Sequence, residues 1–173
     1  MRLTRQGDYA VRVMLDLASQ APHVPIRRAE VQARQDVPTA YLAKIIQALA
    51  RAGLVRTRPG AHGGVTLNAP AEAVTLLQVI EAVEGPIRLN RCVEAPGACP
   101  RDRFCPVHPV WMRLQTLLTR ELGVTIAALA NSASRSGGVR MPGCLDVKGQ
   151  GLSRWFTGAS PTHSSGSSSG SLC

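Results

Sequence analysis

Apolar residues near the start of the chain fall at Ala10, Val13, Met14 and Leu17, the i, i+3, i+4, i+7 spacing of one helical face. Thr4 stands where it can cap that helix. The segment "IRRAEVQARQDV" reads as a short polar helix that turns Ala29 and Val31 inward. In "PTAYLAKIIQALARAGLV" the same spacing returns at Leu42, Ile45, Ile46 and Leu49, with Thr39 placed as N-cap and Gly53 as the C-terminal stop. The period then changes. "LVRTR" and "VTLN" are short Val/Leu/Thr runs on either side of the turn-forming "PGAHGG", which predicts a two-stranded hairpin.

Three helices followed by a hairpin make a winged helix-turn-helix over residues 1–68, with "QDVPT" as the tight joint. Residues 69–132 begin with a helix carrying Leu76, Val79, Ile80 and Val83 on one face and stopped by Gly85 and Pro86. A Pro/Gly-rich cysteine loop follows, and "PVWMRLQTLLTRELG" resumes helix with an apolar stripe at Trp111, Leu114, Leu118 and Leu122. Such a stripe calls for a partner, so this long helix is expected to dimerise; packing within its own chain is the alternative. Residues 133–173 hold ten Ser and eight Gly and bury too little to offset the entropy of ordering them, so a disordered tail is expected there. The predicted fold class is mainly α.

Composition sharpens this picture. Aromatic residues are 3% of a chain that is 45% apolar, so the core must be built from Leu, Val, Ile and Ala. The formal charge of +9 is unevenly spread: residues 1–60 contribute +6, residues 61–132 nothing, and residues 133–173 the remaining +3. A basic module beside a neutral one suits a polyanion-binding head joined to a second function. There is no run of apolar residues of membrane-spanning length, and no apolar leader at the N-terminus, so a cytoplasmic protein is expected.

A helix-turn-helix reads double-stranded DNA with the first turns of its second helix, while flanking basic groups hold phosphates. That puts Thr39, Ala40, Tyr41 and Lys44 at the groove, Arg27 and Arg28 at the backbone, and Arg58, Gly60 and His62 on the wing. Each of these taken singly also fits a solvated surface position.

The loop "CVEAPGACPRDRFCPVHPVW" holds Cys92, Cys99, Cys105 and His108 with the spacing C-x6-C-x5-C-x2-H. In a reducing compartment such a group is metal-binding or redox-active rather than a disulfide framework. Zinc sites favour closely paired ligands, which are missing here, whereas iron-sulfur clusters are held mainly by cysteine thiolates with occasional histidine. Spacing alone leaves zinc, a cluster and a simple thiol switch open. A catalytic role finds no support, because the chain lacks a Gly-rich phosphate loop, a His-Glu metal motif and a nucleophile-base pair.

Four motifs in order, "MRLTRQGDYAVRVMLDLA", "YLAKIIQALARAGLV", "GAHGGVTL" and the three-cysteine loop ending in "HPVW", resemble the Rrf2 family of winged-helix regulators from Met1 to about Ala130. The resemblance implies a homodimeric repressor or activator that binds a DNA operator and carries an iron-sulfur cluster, with Cys92, Cys99 and Cys105 as ligands, and that responds to cluster status, redox state or nitric oxide. His108 matches the histidine that completes a 2Fe-2S cluster in IscR-like members. Asp8 matches the carboxylate that NsrR-like members offer to a 4Fe-4S cluster in the second subunit. Both also have simpler roles: Asp8 complements the dipole of the first helix, and His108 starts the long one. The chain departs from the IscR-like pattern by one extra residue between Cys92 and Cys99, and Pro59 separates Arg58 from Gly60 where many members have Arg and Gly adjacent.

Overall fold

Thr4 opens the first helix with an extended backbone and a hydroxyl that accepts hydrogen bonds from the amides of Gln6 and Gly7, so capping α1, Arg5–Ala18. A second acceptor reaches the same turn from far along the chain. Glu84 Oε1 accepts from the Gly7 amide at 3.1 Å, from the Thr4 amide at 3.3 Å and from the Thr4 hydroxyl. α1 buries Ala10, Val13, Met14 and Leu17, the four positions singled out by the spacing. In this computed structural model the described residues are 4–60 and 63–135. His62 of the wing, and all but the first three residues of the expected tail, lie outside them.

The short second helix, α2, Arg28–Gln35, sends Val31 into the core but leaves Ala29 exposed, contrary to the expectation for that residue. Eight polar-rich residues make barely two turns, and one inward position suffices to seat them. Asp36 takes the left-handed conformation at φ 49°, which its short polar side chain tolerates, and turns the chain into buried Val37. α3 then runs Thr39–Arg51. Its N-cap is Pro38 rather than Thr39: the helix starts at Thr39 itself, whose hydroxyl turns away to Gln32 Oε1 at 3.2 Å. The stop at Gly53 is as anticipated. With φ +73° it carries a Schellman closure, Leu54 N–H donating to Leu49 O at 2.9 Å and Gly53 N–H to Ala50 O at 3.0 Å.

The hairpin pairs β1, Val55–Arg58, with β2, Gly64–Leu67, antiparallel, with Val55 opposite Leu67 and Arg58 opposite Gly64. Ile26 joins it by exchanging backbone hydrogen bonds with Val65 at 3.0 and 2.9 Å. The approach is so close that a Cβ on Gly64 would stand 2.5 Å from the Ile26 carbonyl oxygen. The wing is thereby fixed to the segment that leads into α2.

Beyond the hairpin, a capping box of Thr75 and Gln78 starts α4, Leu76–Glu84. A short 3-10 turn, Arg91–Val93, lies in the loop that follows, and α5, His108–Glu121, and α6, Ile126–Arg135, complete the described residues. The sequence reading did not separate α6 as a helix of its own. It continues past residue 132, so the first three residues assigned to the tail are helical. Ile126 is fully buried, and its amide donates to Val74 O at 2.8 Å while the Leu76 amide donates to Val124 O at 2.9 Å. These bonds clasp the start of α6 to the start of α4.

Val74, Val79 and Ile126 belong to the same hydrophobic cluster as Met14, Leu42, Ile45, Leu49 and Val65. The core therefore crosses residue 68, and α4 and α6 pack onto the helix-turn-helix. As the composition required, it is aliphatic. α5 differs from the rest: it has no buried residue, and its bare apolar face is Val110, Leu114 and Leu117, 40 to 48% exposed, whereas Trp111, Leu118 and Leu122 of the expected stripe are half-buried. A polar clamp holds it to its own chain. Gln115 Oε1 accepts from the Leu89 amide at 3.0 Å, and Gln115 Nε2 donates to Ile87 O at 2.9 Å.

Candidate functional site

Two groups of expected functional residues come into view. The first surrounds the start of α3, where Thr39, Ala40, Tyr41 and Lys44 are all exposed on its first turns. On the same module, Arg27, Arg28 and Arg58 line one open concavity together with Pro59, Gly60, Gly63 and Gly64. Residues some thirty positions apart thus form one basic recess, because the Ile26–Val65 bridge draws the wing against the start of α2. Arg27 Nε is engaged with Glu30 Oε1 at 2.7 Å, an exposed pair that water screens and a phosphate can readily displace. An exposed helix start and a recess lined by three guanidinium groups are suited to the edge of a DNA duplex.

The helix-turn-helix is braced from behind by an ion pair that the sequence did not disclose. Asp16 on α1 is 5% exposed and accepts Arg34 Nε and Nη2, each at 2.8 Å, and Gln35 Nε2 at 3.2 Å. The bidentate geometry fixes α2 against α1. It also raises the Arg34 pKa above the usual arginine value, through the Asp16 hydrogen bonds first and the Asp16 charge as well, against the opposing effect of burial.

The second group is the segment between α4 and α5. Cys92 sits in the 3-10 turn, which Asn90 caps by accepting the Arg91 amide at 2.8 Å. Cys99 and Cys105 lie in consecutive turns: Cys99 O accepts the Asp102 amide at 3.2 Å, the Cys105 amide donates to Arg101 O at 2.8 Å, and Cys105 O accepts the His108 amide at 3.1 Å. All three thiols are free and half-buried. His108 is the first residue of α5, and its Nδ1 is buried without a hydrogen-bond partner among the described residues. A buried orphan nitrogen is costly unless something binds it. His108 also lines an open recess with Pro96, Gly97, Asp102 and Arg103.

Asp8, the alternative fourth ligand, is half exposed on α1 and engaged with Arg12 Nη2 at 2.7 Å. Among the described residues, no three His, Cys, Asp or Glu side chains converge as a metal-holding group. The donor set of three thiols and one imidazole still suits an iron-sulfur cluster in kind, and the turns holding it are exposed and locally bonded, so they can close around a guest.

Tyr9, Arg12, Glu84 and Gln115 also have roles that the sequence reading did not assign. Glu84 had a local signal in its place at a helix end just before Gly85 and Pro86, and Arg12 in its i,i+4 spacing from Asp8.

Three helices and a wing, a basic recess, an exposed helix start, and further helices packed onto them define a winged helix-turn-helix DNA-binding regulator. The chain belongs to the Rrf2 family, described as an iron-dependent transcriptional regulator, whose signature matches residues 3–132. The helix-turn-helix-type transcriptional regulator IscR of Escherichia coli is 34% identical over 133 residues, 76% of this chain and 82% of IscR. In fold the chain is similar to CymR, the global cysteine regulator of B. subtilis, with a TM-score of 0.62 at 25% identity, covering 76% of this chain and 98% of CymR. T. potens IscR shares the fold too, with a TM-score of 0.63 at 24% identity over 79% of this chain and 91% of that protein. The chain is thus a transcriptional regulator rather than an enzyme. Among its described residues no helix is long and apolar enough to cross a membrane.

Proposed function

We propose that this regulator binds its operator as a homodimer in the cytoplasm and senses iron-sulfur cluster status through Cys92, Cys99, Cys105 and His108. The observation that carries the reading is the buried, unpartnered His108 Nδ1 on the same irregular segment as three free half-buried thiols. Bound there, a cluster supplies a charged, rigid, redox-responsive link between thiolates. The orphan nitrogen favours His108 as the fourth ligand, because Asp8 already has a partner in Arg12. On the DNA side, Thr39, Ala40, Tyr41 and Lys44 face base edges and phosphates, and Arg27, Arg28 and Arg58 hold the backbone, with Gly60 on the wing. The exposed apolar side of α5, at Val110, Leu114 and Leu117, is the face on which a second copy packs.

The test is an ultraviolet-visible spectrum with iron and acid-labile sulfide assays on protein purified without oxygen. Visible charge-transfer bands with equal iron and sulfide are expected, and they should be lost in Cys92→Ser, Cys99→Ser and Cys105→Ser. DNA affinity of loaded and cluster-free protein should differ about 5- to 150-fold, the usual range of allosteric coupling. Colourless protein after attempted reconstitution refutes the cluster reading. A second reading then stands, a zinc or thiol-redox switch at the same cysteines, whose thiol-redox form suits three free, half-buried thiols. Zinc analysis and thiol titration separate its two forms.

A further inference from the structure

Tyr41 is the third residue of α3 and 40% exposed, and its hydroxyl has no hydrogen-bond partner among the described residues. Its ring meets that of Tyr9 on α1 edge to face, with centroids 5.6 Å apart and planes at 69°. Tyr9 is only half buried and packs against the rim of the core. Its ring is held in turn by Arg12, whose guanidinium carbon stands 5.6 Å from the centroid, and Arg12 is held by Asp8 at 2.7 Å. The first turn of α1 therefore reaches the DNA-facing end of α3 through Asp8, Arg12, Tyr9 and Tyr41.

We infer that Tyr9 is a positioning residue for DNA binding, which holds Tyr41 in the orientation that the duplex meets. This rests on the reading of α3 as the recognition helix and of Tyr41 as one of its contacts. A phenol on an exposed first turn has freedom to lose when it docks, and a packed neighbour removes that freedom beforehand. An edge-to-face aromatic pair does so without a hydrogen bond, leaving the Tyr41 hydroxyl available to a phosphate or base. The cation over Tyr9 adds to the hold on the ring.

The test uses a duplex selected by the wild-type protein from a random-sequence pool. Dissociation constants are measured for wild type, Tyr9→Leu, Tyr9→Phe, Tyr41→Ala and the Tyr9→Leu/Tyr41→Ala pair, with thermal midpoints recorded for each. Tyr9→Leu should weaken binding roughly 2- to 12-fold, the cost of ordering one freed side chain at an interface. Tyr9→Phe, which keeps the ring, should bind as wild type does. In the Tyr41→Ala background, Tyr9→Leu should make no further difference. An undiminished effect of Tyr9→Leu in that background overturns the inference, as does wild-type affinity in folded Tyr9→Leu. Should Tyr9→Leu fail to fold, Arg12→Gln takes its place in the same cycle, with the same outcomes supporting or overturning. If Tyr41→Ala itself binds as wild type does, the contact assigned to Tyr41 is wrong and the inference falls with it. That result is distinct from a Tyr41→Ala loss that Tyr9→Leu does not share.

Discussion

The ion pair behind the helix-turn-helix should be sharply asymmetric when its two members are removed in turn. Asp16 is buried, with a side chain 4% exposed, whereas the Arg34 side chain is 38% exposed. Arg34→Ala strands a carboxylate that water barely reaches, with the Gln35 amide at 3.2 Å as its remaining donor. Removing one partner of a buried pair costs about 3 to 5 kcal/mol, and the surviving Gln35 bond puts this case at the lower end, about 3 kcal/mol. Asp16→Ala instead frees a guanidinium that can swing into solvent, so the loss is about 1 kcal/mol, the net worth of a partly screened pair. For a chain of this length the difference of about 2 kcal/mol separates the two melting temperatures by roughly 4 to 8 °C.

The assay is urea and thermal unfolding of both variants and of the double variant near neutral pH. Because the Arg34 pKa is raised, its contribution is fully present below the usual arginine value and is lost only as pH rises through the higher folded-state value. Titration of Arg34 therefore does not disturb the comparison. The double variant should be more stable than Arg34→Ala alone, since it removes the stranded carboxylate. If Asp16→Ala proves as damaging as Arg34→Ala, the argument from burial is wrong.

Three further outcomes follow from the geometry. Gly64→Ala places a Cβ against the backbone of Ile26 and should cost about 1 to 3 kcal/mol in denaturant unfolding, with weaker DNA binding because the wing is pushed off the start of α2. Thr4→Ala removes the α1 cap and a donor to Glu84, and a stability loss of about 1 kcal/mol is expected from chemical unfolding; an unchanged midpoint would count against the capping role. Leu114→Arg puts a charge on the bare face of α5 and should shift the proposed dimer to monomer in sedimentation experiments, with helical content by circular dichroism unchanged.

The parts of this fold legible in the sequence are those where one face decides. Ala10, Val13, Met14 and Leu17, and later Leu42, Ile45, Ile46 and Leu49, repeat at the helical period because a single core covers them, so periodicity and burial coincide. Gly53 announced its turn because a left-handed residue is needed there. Ala29 misled because an alanine in a two-turn helix carries too little apolar weight to mark a face. Thr39 misled because Thr and Pro are both credible at a helix start, and the choice depended on Gln32 seven residues back. α6 went unseen as a helix of its own because Ile126 is the one fully buried side chain among its residues of described burial, and it sits where the start of α6 pairs with the start of α4. For the candidate site, the residue types and spacing of the cysteine segment were plain. The convergence of Arg27, Arg28 and Arg58, by contrast, depended on a backbone bridge between segments about forty residues apart, for which no local pattern exists.

The segment from Gly85 to Val107 is built so that its state can be felt elsewhere. Its own bonds are mostly short-range turns, and its thiols are only half-buried, so it has little internal reason to hold one shape. Where it meets the rest of the fold, the contacts are specific: the Ile87 amide donates to Glu81 Oε1 at 3.1 Å on α4, and Gln115 of α5 brackets Leu89 and Ile87. One turn further along α4, at its last residue, Glu84 holds the Thr4 hydroxyl and the Gly7 amide at the start of α1. A change that re-orders the cysteines must therefore act on the end of α4 or on α5. The first leads through Glu84 to the turn carrying Asp8, Tyr9 and Arg12, and the second leads to the exposed face of α5. Glu84→Gln separates these routes, because it keeps the packing and weakens the charge-assisted bonds to α1. If the first route dominates, Glu84→Gln will shrink the difference in DNA affinity between thiol-ligated and free protein while leaving oligomeric state untouched. If the difference persists at full size, the signal runs through α5.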